Sequence, residues 1–242
     1  MKCGLSLIFP IFNEGKRIEN SLNKIQEFTS KNTLFDLEVI LVNDGSYDNT
    51  NIKIQRFINS NLGKNFKYIK SAKNKGKGHA LKFGVENATK EWILTSDIDL
   101  SVPLEQIQVW FNEYNFSKNS IKVYFGSRGV HRSNVKKKIH RFILGIIFKK
   151  FIKLFFKINI KDTQCGYKLY ENQTAKHLFK DLEIFGFAHD IELIMRLNDK
   201  NIEIKELPVN WTHMPDSKLN IFIDPIKMLI DLFKIFIILR KK

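Results

Sequence analysis

The sequence predicts an α/β fold, a mostly parallel sheet with helices on both faces. Two observations predict it. In the first hundred residues, short apolar runs of strand length alternate with segments whose apolar residues recur at helical spacing. The strand runs are also apolar throughout, as in a sheet covered on both sides.

The elements follow in order. Leu5–Phe9 is an apolar strand stopped by Pro10, and Arg17–Phe28 carries Ile18, Leu22, Ile25 and Phe28 on one helical face. Leu37–Val42 is a buried strand ended by Asn43-Asp44-Gly45-Ser46, and a helix through Ile52–Ile58 follows. Phe66–Ile69 is the third strand. Asn74-Lys-Gly-Lys-Gly78 is a glycine-rich loop opening a helix over His79–Asn87. Trp92–Thr95 is the fourth strand and delivers Asp97 and Asp99. Lys122–Phe125 is a fifth, ending in Gly126-Ser-Arg128. Lys136–Ile158 has Ile139, Phe142, Ile143, Ile146, Ile147 and Phe151 at helical spacing and a lysine-rich opposite side, a pattern that suits a membrane interface. Pro225–Leu239 would be a helix about 22 Å long, short of the ~30 Å hydrocarbon core, so it should lie on a membrane or pack on the domain. Core packing or a dimer seam is the competing reading of both helices. The expected division is therefore a catalytic domain over 1–220, including the basic helix 136–158, and a membrane-interfacial segment over 221–242.

The formal charge of the 242 residues is +15, which implies an anionic partner: nucleic acid, an acidic membrane face or a phosphorylated substrate. The lysines and arginines gather beside apolar helical faces and no RNA-recognition motif is present, so nucleic acid is not the expected partner. Cys3 and Cys165 have no paired spacing, so neither a disulfide framework nor a zinc site is suggested, and free thiols favour a reducing compartment. The N-terminal residues read as a strand, not a signal peptide.

Ligands of open α/β sheets bind at the carboxyl ends of the strands. Asn13-Glu14, Asp44, Gly76–Gly78 and Asp97/Asp99 all follow strands on that edge. Two carboxylates one residue apart suit a hard cation, Mg²⁺ or Mn²⁺, also held by a substrate's phosphates. Gly76 and Gly78 let backbone N–H groups approach phosphate at a helix N-terminus, and Lys75 and Lys77 add charge. Asp44 could accept from a base or ribose, or it could form a turn or cap the next helix. Arg128 and Lys168 are candidate phosphate contacts, with ordinary surface cations as the alternative. Gln164 and Trp211 line a sugar pocket or pack in the core.

Four motifs in this order, Pro10-Ile-Phe-Asn-Glu14, Val42-Asn-Asp-Gly-Ser46, Lys75-Gly-Lys-Gly-His79 and Ser96-Asp-Ile-Asp99, resemble the family 2 glycosyltransferases with the A fold. Asp162-Thr-Gln-Cys-Gly-Tyr-Lys168, Phe187-Ala-His-Asp-Ile-Glu192 and Val209-Asn-Trp-Thr212 narrow the resemblance to the dolichyl-phosphate β-glucosyltransferase branch and its polyprenyl-phosphate relatives, over about residues 4–220. The resemblance implies substrate-binding roles for Pro10 and Phe12, a nucleoside pocket at Glu14 and Asp44, nucleotide contact by Asp97 and metal binding by Asp99. It puts Asp190 where a general base usually stands. A phosphate acceptor, with a second pKa near 6, needs little help from a base, so Asp190 could instead orient the acceptor or a cation. The implied activity is inverting transfer of a hexose, glucose from UDP-glucose, to a polyprenyl phosphate. Another nucleotide sugar or a hydroxyl acceptor is the alternative within the family. Eukaryotic members usually carry a spanning anchor. No such run is found here, so the two amphipathic helices are expected to attach the protein to the cytoplasmic face of an anionic membrane, with either able to serve as a dimer surface.

Overall fold

A computed structural model describes residues 2–60, 65–114, 116, 120–136, 158–214 and 223–240. Among them, strands β1 (Cys3–Ile11), β2 (Phe35–Asn43), β3 (Phe66–Lys70), β4 (Trp92–Thr95), β5 (Val123–Ser127), β7 (Lys168–Glu171) and β8 (Ile204–Pro208) form one sheet in the order β3-β2-β1-β4-β7-β5-β8. β1, β2, β3 and β4 run parallel, as do β5 and β8. Only β7 is reversed within this sheet, antiparallel to both β4 and β5. Two short strands, β6 (Asn134–Lys136) and β9 (Asn210–Thr212), pair beside it.

Strand alternation divides the apolar residues between two cores. Leu5, Leu7, Phe9 and Ile11 of β1, with Val39 and Leu41 of β2 and Leu94 of β4, face one side. Helix α1 (Ile18–Lys31) covers that side with Ile18, Leu22, Ile25 and Phe28, joined by Ile54 of α2 (Thr50–Asn59) and Trp110 of α4 (Gln106–Tyr114). Ile8, Ile40, Val42, Ile93 and Phe125 face the other side. There they meet α3 (Lys77–Asn87), α5 (Asn172–Lys180), α6 (His189–Asp199) and α7 (Ile223–Arg240). This is the doubly covered, mostly parallel sheet that the sequence predicts.

Several boundaries differ from the expected ones. β1 runs through Pro10 to Ile11, because β4 pairs only as far as Ile8 and a missing ladder donor is tolerated beyond that point. α3 begins at Lys77, two residues early. α4, β7, α5, α6, β8 and the β6–β9 pair are additions to the expected elements, although α5 carries its buried apolar residues Ala175, Leu178 and Phe179 at helical spacing. α7 forms as expected and joins the second core through Leu232 and Ile235. Lys136 belongs to β6 and Ile158 is buried in the second core; the rest of the basic amphipathic stretch, 137–157, lies outside the described residues, as does 215–222, where the expected domain boundary falls. No helix among the described residues is long and apolar enough to cross a membrane.

The reversal of β7 changes which of its ends reaches the ligand-binding edge. Its first residue, Lys168, pairs with Thr95 of β4 and Phe125 of β5, so it stands at the same sheet edge as the carboxyl ends of all the other strands.

Candidate active site

Asp97 and Asp99 leave β4 in a tight turn. The Leu100 N–H donates to the Asp97 carbonyl at 3.0 Å, and Leu100 takes a left-handed φ of 53°. Asp99 is oriented by Ser101, whose N–H and hydroxyl donate to Oδ1 at 3.0 and 2.8 Å. The other oxygen, Oδ2, lies 3.9 Å from the Arg17 guanidinium. Arg17 is itself held by both carboxylate oxygens of buried Glu14. Arg17 is not among the residues that the sequence singles out. Its spacing from Glu14 is visible there, but its approach to Asp99 depends on the sheet order.

The glycine-rich loop is organised by Asp44. This carboxylate, 2% exposed, accepts from the N–H groups of Lys75 at 3.1 Å and Gly76 at 2.7 Å and from the Asn74 amide at 2.9 Å. The Gly78 N–H donates to the Phe185 carbonyl at 2.9 Å. The N–H groups expected to face phosphate are therefore engaged within the protein, and Asp44 acts as the clamp of this loop. Glycine is required at position 76 for a different reason. Its φ is 112°, and a Cβ there would collide with the Phe185 carbonyl oxygen.

The loop delivers Lys77, whose Nζ meets Asp97 Oδ1 at 2.5 Å. Burial would lower the Lys77 pKa, but Asp97, Asp190 and Asp99 outweigh it and hold the ammonium above its ordinary value. Burial likewise opposes ionisation of Asp97, and Lys77, Lys168 and Arg128 hold the carboxyl below its ordinary value. Gly166 packs against this carboxylate so closely that a Cβ would overlap Oδ2.

Behind this pair is a second one. Lys168 Nζ donates to Asp190 Oδ1 at 2.6 Å, with both residues buried, and the ammonium lies 4.9 Å from the centre of the Phe125 ring. His189 Nε2 is 3.2 Å from the same oxygen, while Nδ1 is 2.8 Å from the Gly186 carbonyl. Burial, with Lys77 and Lys168, lowers the His189 pKa more than Asp190 raises it. Lys168, expected as a phosphate contact, is thus a core cation with a fixed partner.

Arg128 is also committed. It forms a bidentate pair with buried Asp162 at 2.6 and 2.9 Å and stacks over Trp211 at 5.4 Å. Asp162 is fixed in turn by its own N–H, which donates to Glu206 at 3.0 Å. Trp211 lines a cleft with Ser96, Asp97, Ser101, Val102 and Gly166. Gln164 follows Asp162, and its side-chain nitrogen is buried without a hydrogen-bond partner. Cys165 is buried, and its thiol is pushed up to about 11 by burial and by Asp162, so it is inert. Phe12 packs edge-on against exposed Tyr47, with ring centres 5.8 Å apart. Pro10 lies within β1, below Phe12.

The residues picked out from the sequence therefore gather along one edge of the sheet, linked by Glu14–Arg17–Asp99, Lys77–Asp97 and Lys168–Asp190. The profile of glycosyl transferase family 2 matches residues 6–179. The chain is 33% identical over 239 residues to the dolichyl-phosphate beta-glucosyltransferase of Dictyostelium discoideum, covering 96% of this chain and 73% of that protein. To the human protein of the same description it is 30% identical over 224 residues, covering 89% and 69%. The fold is similar to that of mannosyl-3-phosphoglycerate synthase from Rubrobacter xylanophilus, with a TM-score of 0.69 at 12% identity over 97% of this chain and 72% of that one. It is also similar to that of glucosyl-3-phosphoglycerate synthase from Mycobacterium tuberculosis in complex with Mn²⁺ and UDP-glucose, with a TM-score of 0.66 at 15% identity over 97% and 78%.

Proposed function

Because the chain belongs to glycosyl transferase family 2, we propose that its sheet-edge site moves glucose from UDP-glucose to a polyprenyl phosphate with inversion at the anomeric carbon. The observation that carries this reading is the intact Asp97–Asp99 turn, faced by Lys77 and Arg17, in a chain so similar to dolichyl-phosphate beta-glucosyltransferases. In this reading the nucleoside lies between the Phe12–Tyr47 lip and the Asp44 loop. Asp97, with Lys77, faces the diphosphate, and the sugar lies on the side of Asp97 toward Trp211 and Gln164.

The donor set fits a divalent cation of the Mg²⁺ or Mn²⁺ type. Among the described residues no group of three or more His, Cys, Asp or Glu side chains could hold a metal alone. Asp99 would supply a carboxylate and the donor's phosphates would complete the shell, as such ions prefer. When bound, the cation supplies charge neutralisation on the departing diphosphate. Asp99 is kept aimed by Ser101, and Arg17 balances its charge from the opposite side.

The acceptor is a lipid, and α7 offers a seat for one. Its inner side is buried at Leu232 and Ile235, yet Leu229, Ile230, Phe233, Phe236 and Ile237 are exposed on its outer side. A helix apolar on both sides is normally covered on both. We read the outer side as lying in the interface of an anionic membrane at its cytoplasmic face, a peripheral attachment aided by Lys227 and Lys234.

The test is transfer of radiolabelled sugar, from a panel of nucleotide sugars, into a solvent-extractable polyprenyl-phosphate product. UDP-glucose should be the donor, and Asp99→Ala should lower the rate at least about 100-fold, the scale of losing a main electrostatic contribution. Sugar release without lipid product would redirect the reading to a hydroxyl acceptor.

A further inference from the structure

We propose that the Lys168–Asp190 pair is a filter for the acceptor: it occupies the carboxylate at the base position with a fixed counter-ion, so that only acceptors arriving already ionised are glycosylated. The inference rests on the lipid-phosphate reading and assigns a positioning role to Lys168.

The geometry carries it. Lys168 is 2% and Asp190 5% exposed, and their charged atoms are 2.6 Å apart. The reversal of β7 brings Lys168 to the sheet edge between Thr95 and Phe125, and α6 brings Asp190 to meet it. Neither charge is tolerable alone at that depth, so each serves as the other's counter-ion. Among the described residues, the charged and titratable groups that bear on Asp190 come from three elements. Lys168 and Tyr170 come from β7, Lys77 from α3 and His189 from its own helix. Burial would raise the Asp190 carboxyl, but His189, Lys168 and Lys77 together hold it below its ordinary value.

The chemistry follows. A hydroxyl acceptor must surrender its proton as its oxygen bonds to the anomeric carbon, and that proton needs a base of pKa near the working pH. A carboxylate stabilised in its charged form by an ammonium is a poor proton acceptor. A phosphate monoester dianion has no proton to lose. One of its oxygen lone pairs forms the bond to the anomeric carbon while the bond to the UDP oxygen breaks, and that electron pair leaves on the β-phosphate of UDP. No proton changes hands, and Asp190 is not asked for one.

The test has a spectroscopic arm and a kinetic arm. In the chain labelled with ¹³C at aspartate carboxyls, with the resonance assigned from Asp190→Asn, Asp190 should titrate below the range of an ordinary aspartate. In Lys168→Met it should titrate above about pH 5, as a buried carboxyl without a counter-ion does. Lys168→Arg should restore the original behaviour. The double variant Lys168→Met/Asp190→Asn, which leaves no lone buried charge, should fold as well as the parent. In transfer assays polyprenyl phosphate should be glycosylated and the matching polyprenol should not. The same double variant should cost less than the roughly 100-fold that removal of a general base costs, and the shape of the pH profile should not change. Glycosylation of polyprenol, or an Asp190 resonance titrating between about pH 5 and 8, overturns the proposal. Failure of the lipid reading shows differently, as no lipid product of either kind from a chain whose Asp190 titrates as described.

Discussion

Two glycines separate what a residue does for the fold from what it does for the site. At Gly76 an added Cβ meets a backbone carbonyl, and the φ of 112° is itself unfavourable for any L side chain. Gly76→Ala should therefore destabilise the chain by about 1–3 kcal/mol, readable in urea unfolding. At Gly166 the added Cβ meets the Asp97 carboxylate, a side chain that can swing aside. Gly166→Ala should leave the unfolding midpoint nearly unchanged, yet lower kcat/KM for the donor at least ten-fold by pulling Asp97 from Lys77. Asp190 adds a pH signature. Its folded pKa lies below the unfolded value, so its contribution to stability is complete above about pH 4 and is lost as pH falls through the folded value. Melting temperatures should drop as pH falls below about 4, and less steeply in Asp190→Asn. At this scale the sequence identifies the acidic residues but not their partners. Lys168 sits in an ordinary strand-like run, and nothing in its neighbours betrays that it is buried. Arg17 and Asp99 are joined only once β1 and β4 lie side by side.

Among elements, legibility tracks locality. β1, β2 and α1 announce themselves through short-period apolar patterns and α3 through the glycine-rich loop that opens it, and each forms within a few residues of its expected bounds. β7 cannot be read in this way, because inserting a late strand in reverse between β4 and β5 is a matter of pairing order across the chain. α7 is legible as a helix but ambiguous in its covering, and the structure gives it two apolar sides. The inner side should behave as core, with Leu232→Ala costing about 2–5 kcal/mol. The outer side should behave as a membrane seat. Phe233, 67% exposed, can be replaced by aspartate without disturbing the core. Phe233→Asp should leave the melting temperature unchanged and sharply reduce co-flotation with vesicles containing about a third anionic lipid. Retained flotation, or a change from dimer to monomer in sedimentation, would assign that side to a second copy.

Over the whole molecule, every strand of the main sheet presents its functional residues to one edge, and the reversed strand does so with its first residue instead of its last. The net charge of +15 should make vesicle binding fall as salt rises, since charge attraction is screened over about 8 Å at 0.15 M ionic strength. The catalytic edge and the proposed membrane seat are also physically joined. Gly186 packs so closely on Asp231 of α7 that a Cβ there would lie 2.6 Å from the carboxylate. The same 184–189 segment accepts the Gly78 N–H and presses on Gly76. Glu192 fastens this segment through the N–H groups of Glu183 and Ile184. The segment is thus a shared strut, with the terminal helix leaning on one side and the donor loop on the other. Trimming the terminal helix to obtain a more tractable enzyme would then do more than free it from lipid. It would slacken the donor loop, and the shortened protein would bind its nucleotide sugar poorly even in detergent, where no membrane is involved.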